Sequence, residues 1–134
     1  MSSRDPSAAY EAVLRELQGD FIALLPERVD EMRSALTLLA SDPAARTTLR
    51  RLGHRIGGTA ATVGLDDVGR LGRAIEEYLN ARDALGLDDV RRLEGVVALL
   101  DEWTREALRG AGLPATALLG DPRLAAITSR GAAP

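Results

Sequence analysis

The sequence predicts an all-α fold, an antiparallel up-down four-helix bundle with an additional N-terminal helix. Apolar residues recur three and four apart over long stretches, the period of a helix that buries one side. No stretch alternates apolar and polar residues as a half-buried strand does. The joints between the periodic stretches are short, which makes consecutive helices antiparallel neighbours. With 134 residues the chain fits one domain, and aromatics are only 3%, so aliphatic side chains must fill the core.

The elements follow in order. Residues 1–6 read as a flexible lead-in. A first helix over about 7–18 carries Ala9, Val13, Leu14 and Leu17 on one side. Gly19 and Asp20 break it, with Asp20 as N-cap of the next. That second helix, about 21–40, has Phe21, Leu25, Val29, Met32, Leu36 and Leu39 as its seam, and Pro26 predicts a kink or a later start. Ser41-Asp42-Pro43 is a stop followed by a restart, with Pro43 in the first turn of a helix running to Gly64.

Two similar joints come next, Gly64-Leu65-Asp66-Asp67-Val68 and Gly86-Leu87-Asp88-Asp89-Val90. Each reads as Gly closing a helix, a buried Leu, and Asp capping the next helix. The helices they introduce, about 67–83 and 89–110, bury Val68, Leu71, Ile75 and Leu79, then Val90, Leu93, Val97, Leu100 and Leu108. Gly110, Gly112 and Pro114 end the helical body, so 7–112 is the predicted domain. Residues 113–134 are a C-terminal tail in which Leu124–Ile127 forms a docked helix or stays loose, and the fold is expected to tolerate its removal.

Composition excludes several classes. There is no Cys and one His, so disulfide scaffolds and Cys- or multi-His metal sites are ruled out. A formal charge of −3 argues against a general nucleic-acid binder. No segment has the apolar length to span a bilayer, and the N-terminus lacks a signal-peptide core, so a cytoplasmic location is expected. All 17 basic residues are Arg, so a site commonly served by Lys must here use Arg or go without.

The informative residue is His54. At about 100° per residue, Leu52, Ile56, Leu49 and Val63 all lie within roughly 40° of the direction opposite His54. The imidazole therefore faces solvent. On its own side stand Arg50, Arg51, Gly57, Gly58 and Ala61, all within about 60° of it. A glycine inside a helix costs about 0.8–1 kcal/mol relative to Ala, so adjacent glycines call for a reason. One reason is a bare surface beside the imidazole, over which a partner approaches; the other is that Gly57-Gly58 bends or breaks the helix. Residues 44–64 also concentrate Arg46, Arg50, Arg51 and Arg55 with no acid, a field that attracts phosphate or carboxylate groups.

His54-Arg55-Ile56-Gly57-Gly58-Thr59-Ala60-Ala61-Thr62-Val63-Gly64 resembles the signature of histidine-containing phosphotransfer (HPt) domains of multistep phosphorelays. The match holds at His54, Ile56, Gly58, Thr59, Ala60, Val63 and Gly64. It extends more loosely over about 20–108, including Leu-Pro-Glu-Arg at 25–28 and Leu71, Ala74, Ile75 and Glu76. The departure is Gly57, where the family usually has a Lys near the phosphoryl group; Arg50, one turn before His54, is the candidate replacement.

The resemblance implies a stoichiometric phosphoryl carrier with no ATP site or kinase activity of its own. His54 is then the phosphoacceptor, using the ring nitrogen far from the backbone. Arg50, Arg51, Arg55, Gly57, Gly58 and Ala61 form the phosphate- and partner-binding face. The implied partners are response-regulator receiver domains and a hybrid histidine kinase of bacterial two-component signalling, with no nucleic acid and no membrane. The chain is expected to act as a monomer and to bind no cofactor or metal, the Mg²⁺ being held by the receiver. The alternative is an unphosphorylated docking module that sequesters a receiver or kinase, a reading favoured by Gly57. Gly58→Gln is expected to block docking, and in a phosphoryl carrier Arg50→Ala is expected to slow transfer more than Arg46→Ala.

Overall fold

The computed structural model describes residues 6–110, 112–115 and 117–128. Among them every regular element is helical: α1 (Pro6–Leu38), α2 (Pro43–Thr62), α3 (Asp66–Asn80), α4 (Leu87–Arg109) and α5 (Pro122–Thr128). The all-α expectation holds, but the additional N-terminal helix does not exist as a separate element. It is the first half of α1, a single 33-residue helix that passes through Gly19, Asp20 and Pro26. Local propensity favours a break there, and tertiary contacts override it. Gln18 Nε2 donates to Val63 O at 2.8 Å, and Leu14 packs beside Gly64. Around Pro26, Leu25 before it and Val29 and Met32 after it are fully buried and hold the helix to the core on both sides of the missing N–H.

α2 begins as expected, with Asp42 as N-cap accepting from Ala44 N–H at 2.9 Å and Pro43 at the first position. It ends in a Schellman turn. Leu65 N–H bonds Ala60 O, Gly64 N–H bonds Ala61 O, and Gly64 sits at φ 79°, a conformation that favours glycine. The two Gly-Leu-Asp-Asp joints prove different in detail. Leu65 is buried, whereas Leu87 is 64% exposed. Asp66 and Asp67 lie in the first turn of α3 and make no side-chain cap, so their contribution is charge against the positive helix end. In the second joint Asp89 does cap, accepting Gly86 N–H at 2.8 Å. Asp89 also accepts from Tyr78 Oη at 2.6 Å and Arg82 Nε at 3.1 Å, which ties the end of α3 to the start of α4.

α2 packs most extensively on α3, α1 lies against both α2 and α4, and α5 lies on α4 and α3. Leu49, Leu71, Ile75, Leu79, Leu93 and Leu100 are at 0% exposure in a largely aliphatic core. Leu108 and Val13, expected on buried sides, are exposed. The C-terminal segment is docked. Leu118, Leu124 and Ile127 belong to the core, and Arg123 forks onto Glu102 at 2.7 and 3.0 Å while holding Asp121. The burial of these three side chains argues against its expected dispensability.

Candidate functional site

The site is built where α2 and α3 come closest. A Cβ added to Gly72 would stand 2.7 Å from Gly53 O and 2.7 Å from Gly57 N; one added to Gly53 would stand 2.8 Å from Gly72 O. Gly53 and Gly57 on α2 thus meet Gly69 and Gly72 on α3, backbone on backbone, and the two helices run antiparallel through this contact. Gly57 is accordingly buried. The expected bare face holds for Gly58, which is exposed with nothing within 4 Å of an added Cβ, but not for Gly57, whose Cβ would enter α3. Ala61 is half-buried against Gly69 and likewise belongs to the helix contact. The helix runs unbroken through Gly57 and Gly58, so these glycines do not end it.

The close approach brings Glu76 of α3 to His54. The imidazole is exposed, its side chain at 73%, as the helical phase predicts. Its Nδ1 lies 3.1 Å from Glu76 Oε1 and 2.9 Å from Oε2. An ionised carboxylate only accepts, so the proton between them is on Nδ1, and in the neutral ring the lone pair is left on Nε2. That nitrogen is the one away from the backbone and toward solvent. Arg50 and Arg51 join His54 and Glu76 around a shallow hollow of about 270 Å³, and neither Arg has an ion-pair partner among the described residues.

The remaining basic residues are distributed otherwise. Arg55 lines a small cavity on the α1 side with Phe21, Leu24, Arg28, Ile56 and Thr59, and is not brought into the His54 hollow. Arg46 points away from the site: it donates to Leu79 O, Arg82 O and Asp83 O and so closes the C-terminal end of α3. It is a structural residue and cannot serve as the neutral comparison for Arg50. The larger hollow between α1 and α2, about 440 Å³, is walled by Glu27, Asp30, Glu31 and Asp42 and lies away from the chain's one histidine.

Glu76 is the residue at the candidate site that the sequence alone did not single out. It was visible only as part of the loose match along α3. Its pairing with His54 depends on the register of two helices, and the glycines at 53, 57, 69 and 72 were the signal for that register.

The Hpt domain family model matches residues 16–109, more than half of the chain. The chain belongs to the Hpt domain family. No curated protein and no solved structure matches it. Hpt domains are phosphocarrier modules with a phosphotransfer role in phosphorelays, where they interact with receiver domains and kinases. No helix among the described residues is long and apolar enough to cross a membrane.

Proposed function

We propose that this Hpt domain carries a phosphoryl group on His54 Nε2 and exchanges it with receiver-domain aspartates. The observation that carries the reading is an exposed imidazole whose Nδ1 is tied to Glu76 while Nε2 is open. In the forward step the Nε2 lone pair attacks phosphorus of the acyl phosphate. The Nε2–P bond forms as the P–O bond to the aspartate breaks, and the carboxylate leaves with the electron pair. The Nδ1 proton stays against Glu76, whose negative charge stabilises the positive charge that develops on the ring. Reversal returns the group to an aspartate. Phosphoryl transfer asks mostly for positioning and charge neutralisation. Arg50 and Arg51 supply the latter here, and the receiver's Mg²⁺ supplies the rest.

On this reading the chain works stoichiometrically, as a cytoplasmic monomer without bound metal, ATP site or kinase activity, between a hybrid kinase and its receivers. Gly58 leaves an open approach for the receiver, with Arg55 and Ala61 at the edges of the docking face. The short joints support an up-down arrangement of α1–α4. The docking-only alternative drew its support from Gly57, and that glycine is accounted for by helix contact. The test is transfer of labelled phosphate from a phosphorylated receiver. Incorporation into wild type and none into His54→Gln is the expected result, with both proteins folded by circular dichroism. Equal labelling of the variant would refute the assignment.

A further inference from the structure

Two cations of α2, Arg50 and Arg51, line the His54 hollow, and a further one, Arg73, stands on the facing helix α3. A Cβ at position 57 would lie 2.9 Å from Arg73 Cγ, so the aliphatic stem of Arg73 lies over the bare backbone of Gly57. Gly57 follows His54 by three residues, about 4.5 Å along the helix axis, a distance within the reach of the guanidinium beyond Cγ. Arg73 also precedes Glu76 by three residues and so shares a face of α3 with the carboxylate that holds Nδ1. Arg73 is exposed and has neither an ion pair nor a hydrogen bond among the described residues. By contrast Arg82, Arg92, Arg105 and Arg123 are all engaged by carboxylates.

The charge balance of the site explains the use of such a cation. A phosphoryl group on Nε2 brings its negative oxygens to the side of the ring opposite Glu76's hydrogen bond, yet still within the field of that carboxylate. Arg50 and Arg51 lie toward the N-terminal end of α2 from His54. Toward the C-terminal end, Gly57, Gly58 and Ala61 offer no charge. Arg73, with its stem beside Gly57, is the cation of the facing helix placed to serve that side. Its stem is held against Gly57 while its planar fork, suited to two phosphate oxygens, is free.

We propose that Arg73 binds the phosphoryl group of phospho-His54 across the helix contact, and that Gly57 is the seat for its stem. This rests on the reading of His54 as the phosphoacceptor. The experiment uses the whole chain and phosphoramidate as a small phosphodonor, so no receiver is needed. In the labelling step the Nε2–P bond forms, the P–N bond of the donor breaks, and ammonia leaves with the electron pair. Formation of phosphohistidine is followed by ³¹P NMR, and the phosphoryl resonance is then titrated with pH. Arg73→Ala is expected to slow labelling by roughly tenfold and to raise the phosphoryl titration midpoint, because a positioned donor to developing anionic charge is lost. Arg73→Lys keeps the stem and charge and is expected to recover most of the rate. Arg91→Ala, which removes an exposed charge from α4, is expected to match wild type in both readouts. If Arg73→Ala matches Arg91→Ala in rate and midpoint while wild type is labelled, the role of Arg73 is refuted and the phosphoacceptor stands. If wild type takes no phosphoryl group, the phosphoacceptor reading fails and the role of Arg73 falls with it.

Discussion

Adding one methyl group at position 72 and one at position 58 should move stability in opposite directions, although both replace a glycine within a helix. At Gly72 the new Cβ would meet Gly53 O at 2.7 Å, Gly57 N at 2.7 Å and Gly57 Cα at 3.1 Å. All three are backbone atoms of α2, so no rotamer change relieves the contact. Ordinary contact requires the helices to separate by roughly 0.7–1 Å, and overpacking of this kind costs roughly 1–3 kcal/mol. The gain in helix propensity from Gly to Ala, about 0.8–1 kcal/mol, offsets only part of it. At Gly58 nothing lies within 4 Å, so the propensity gain stands alone. Gly58→Ala should therefore stabilise the domain by about 1 kcal/mol, and Gly72→Ala should destabilise it by up to about 2 kcal/mol. Urea unfolding measures both, and the melting temperatures should differ by about 10 °C. Separation of the helices should also loosen Glu76 from His54, visible as mixed imidazole tautomers in ¹⁵N NMR. A Gly72→Ala domain as stable as Gly58→Ala would refute the backbone contact on which the site geometry depends.

Other consequences concern the supports of the site. Arg46→Ala should destabilise by about 2 kcal/mol, because it strips a charged donor from α3's terminal carbonyls, while Arg50→Ala should leave the melting temperature unchanged and slow phosphotransfer. A chain ending at residue 112 should melt more than about 10 °C lower, since Leu118, Leu124 and Ile127 are buried side chains worth roughly 1.5–3 kcal/mol each at the upper bound; an unchanged melt would show that α5 adds nothing. Acid should weaken the fold through Asp89, Glu102 and Asp121. Burial works to raise the Asp89 carboxyl, but the hydrogen bonds from Tyr78 and Gly86 and the charges of Arg82 and Arg92 hold it below its ordinary value. Hydrogen bonds from Arg123 hold Glu102 and Asp121 low as well. Folded values below unfolded ones mean stability that is complete above about pH 5, where the unfolded carboxyls are ionised, and is lost as pH falls through the folded values. Melting curves of wild type and Arg123→Ala should then differ most at pH 7 and draw together as the pH falls and Glu102 and Asp121 are protonated.

The buried stripes of α2, α3 and α4 were largely legible in the sequence, because each depends on periodicity within one helix. So was the outward phase of His54, and so was the Asp42-Pro43 start of α2. Interhelical relations were not. Gly19-Asp20 reads as a break because local propensity contains no trace of the hydrogen bond from Gln18 to Val63. A wheel drawn on α2 alone places Gly57 beside His54, and only the position of α3 shows that this flank is covered. Glu76 becomes a partner of His54 through the same contact. Leu87 and Leu108 carry apolar side chains at plausible phases, yet both are largely exposed.

The central claim is that Nε2 of His54 receives the phosphoryl group because Glu76 holds the proton on Nδ1. Proton–phosphorus correlation NMR on the whole chain, after incubation with a phosphorylated receiver domain, reads the attachment point directly. One phosphohistidine is expected, with phosphorus coupled to the ring through Nε2 and lost on acidification. Phosphorus attached at Nδ1, or a fully labelled receiver that leaves His54 unmodified, would contradict it.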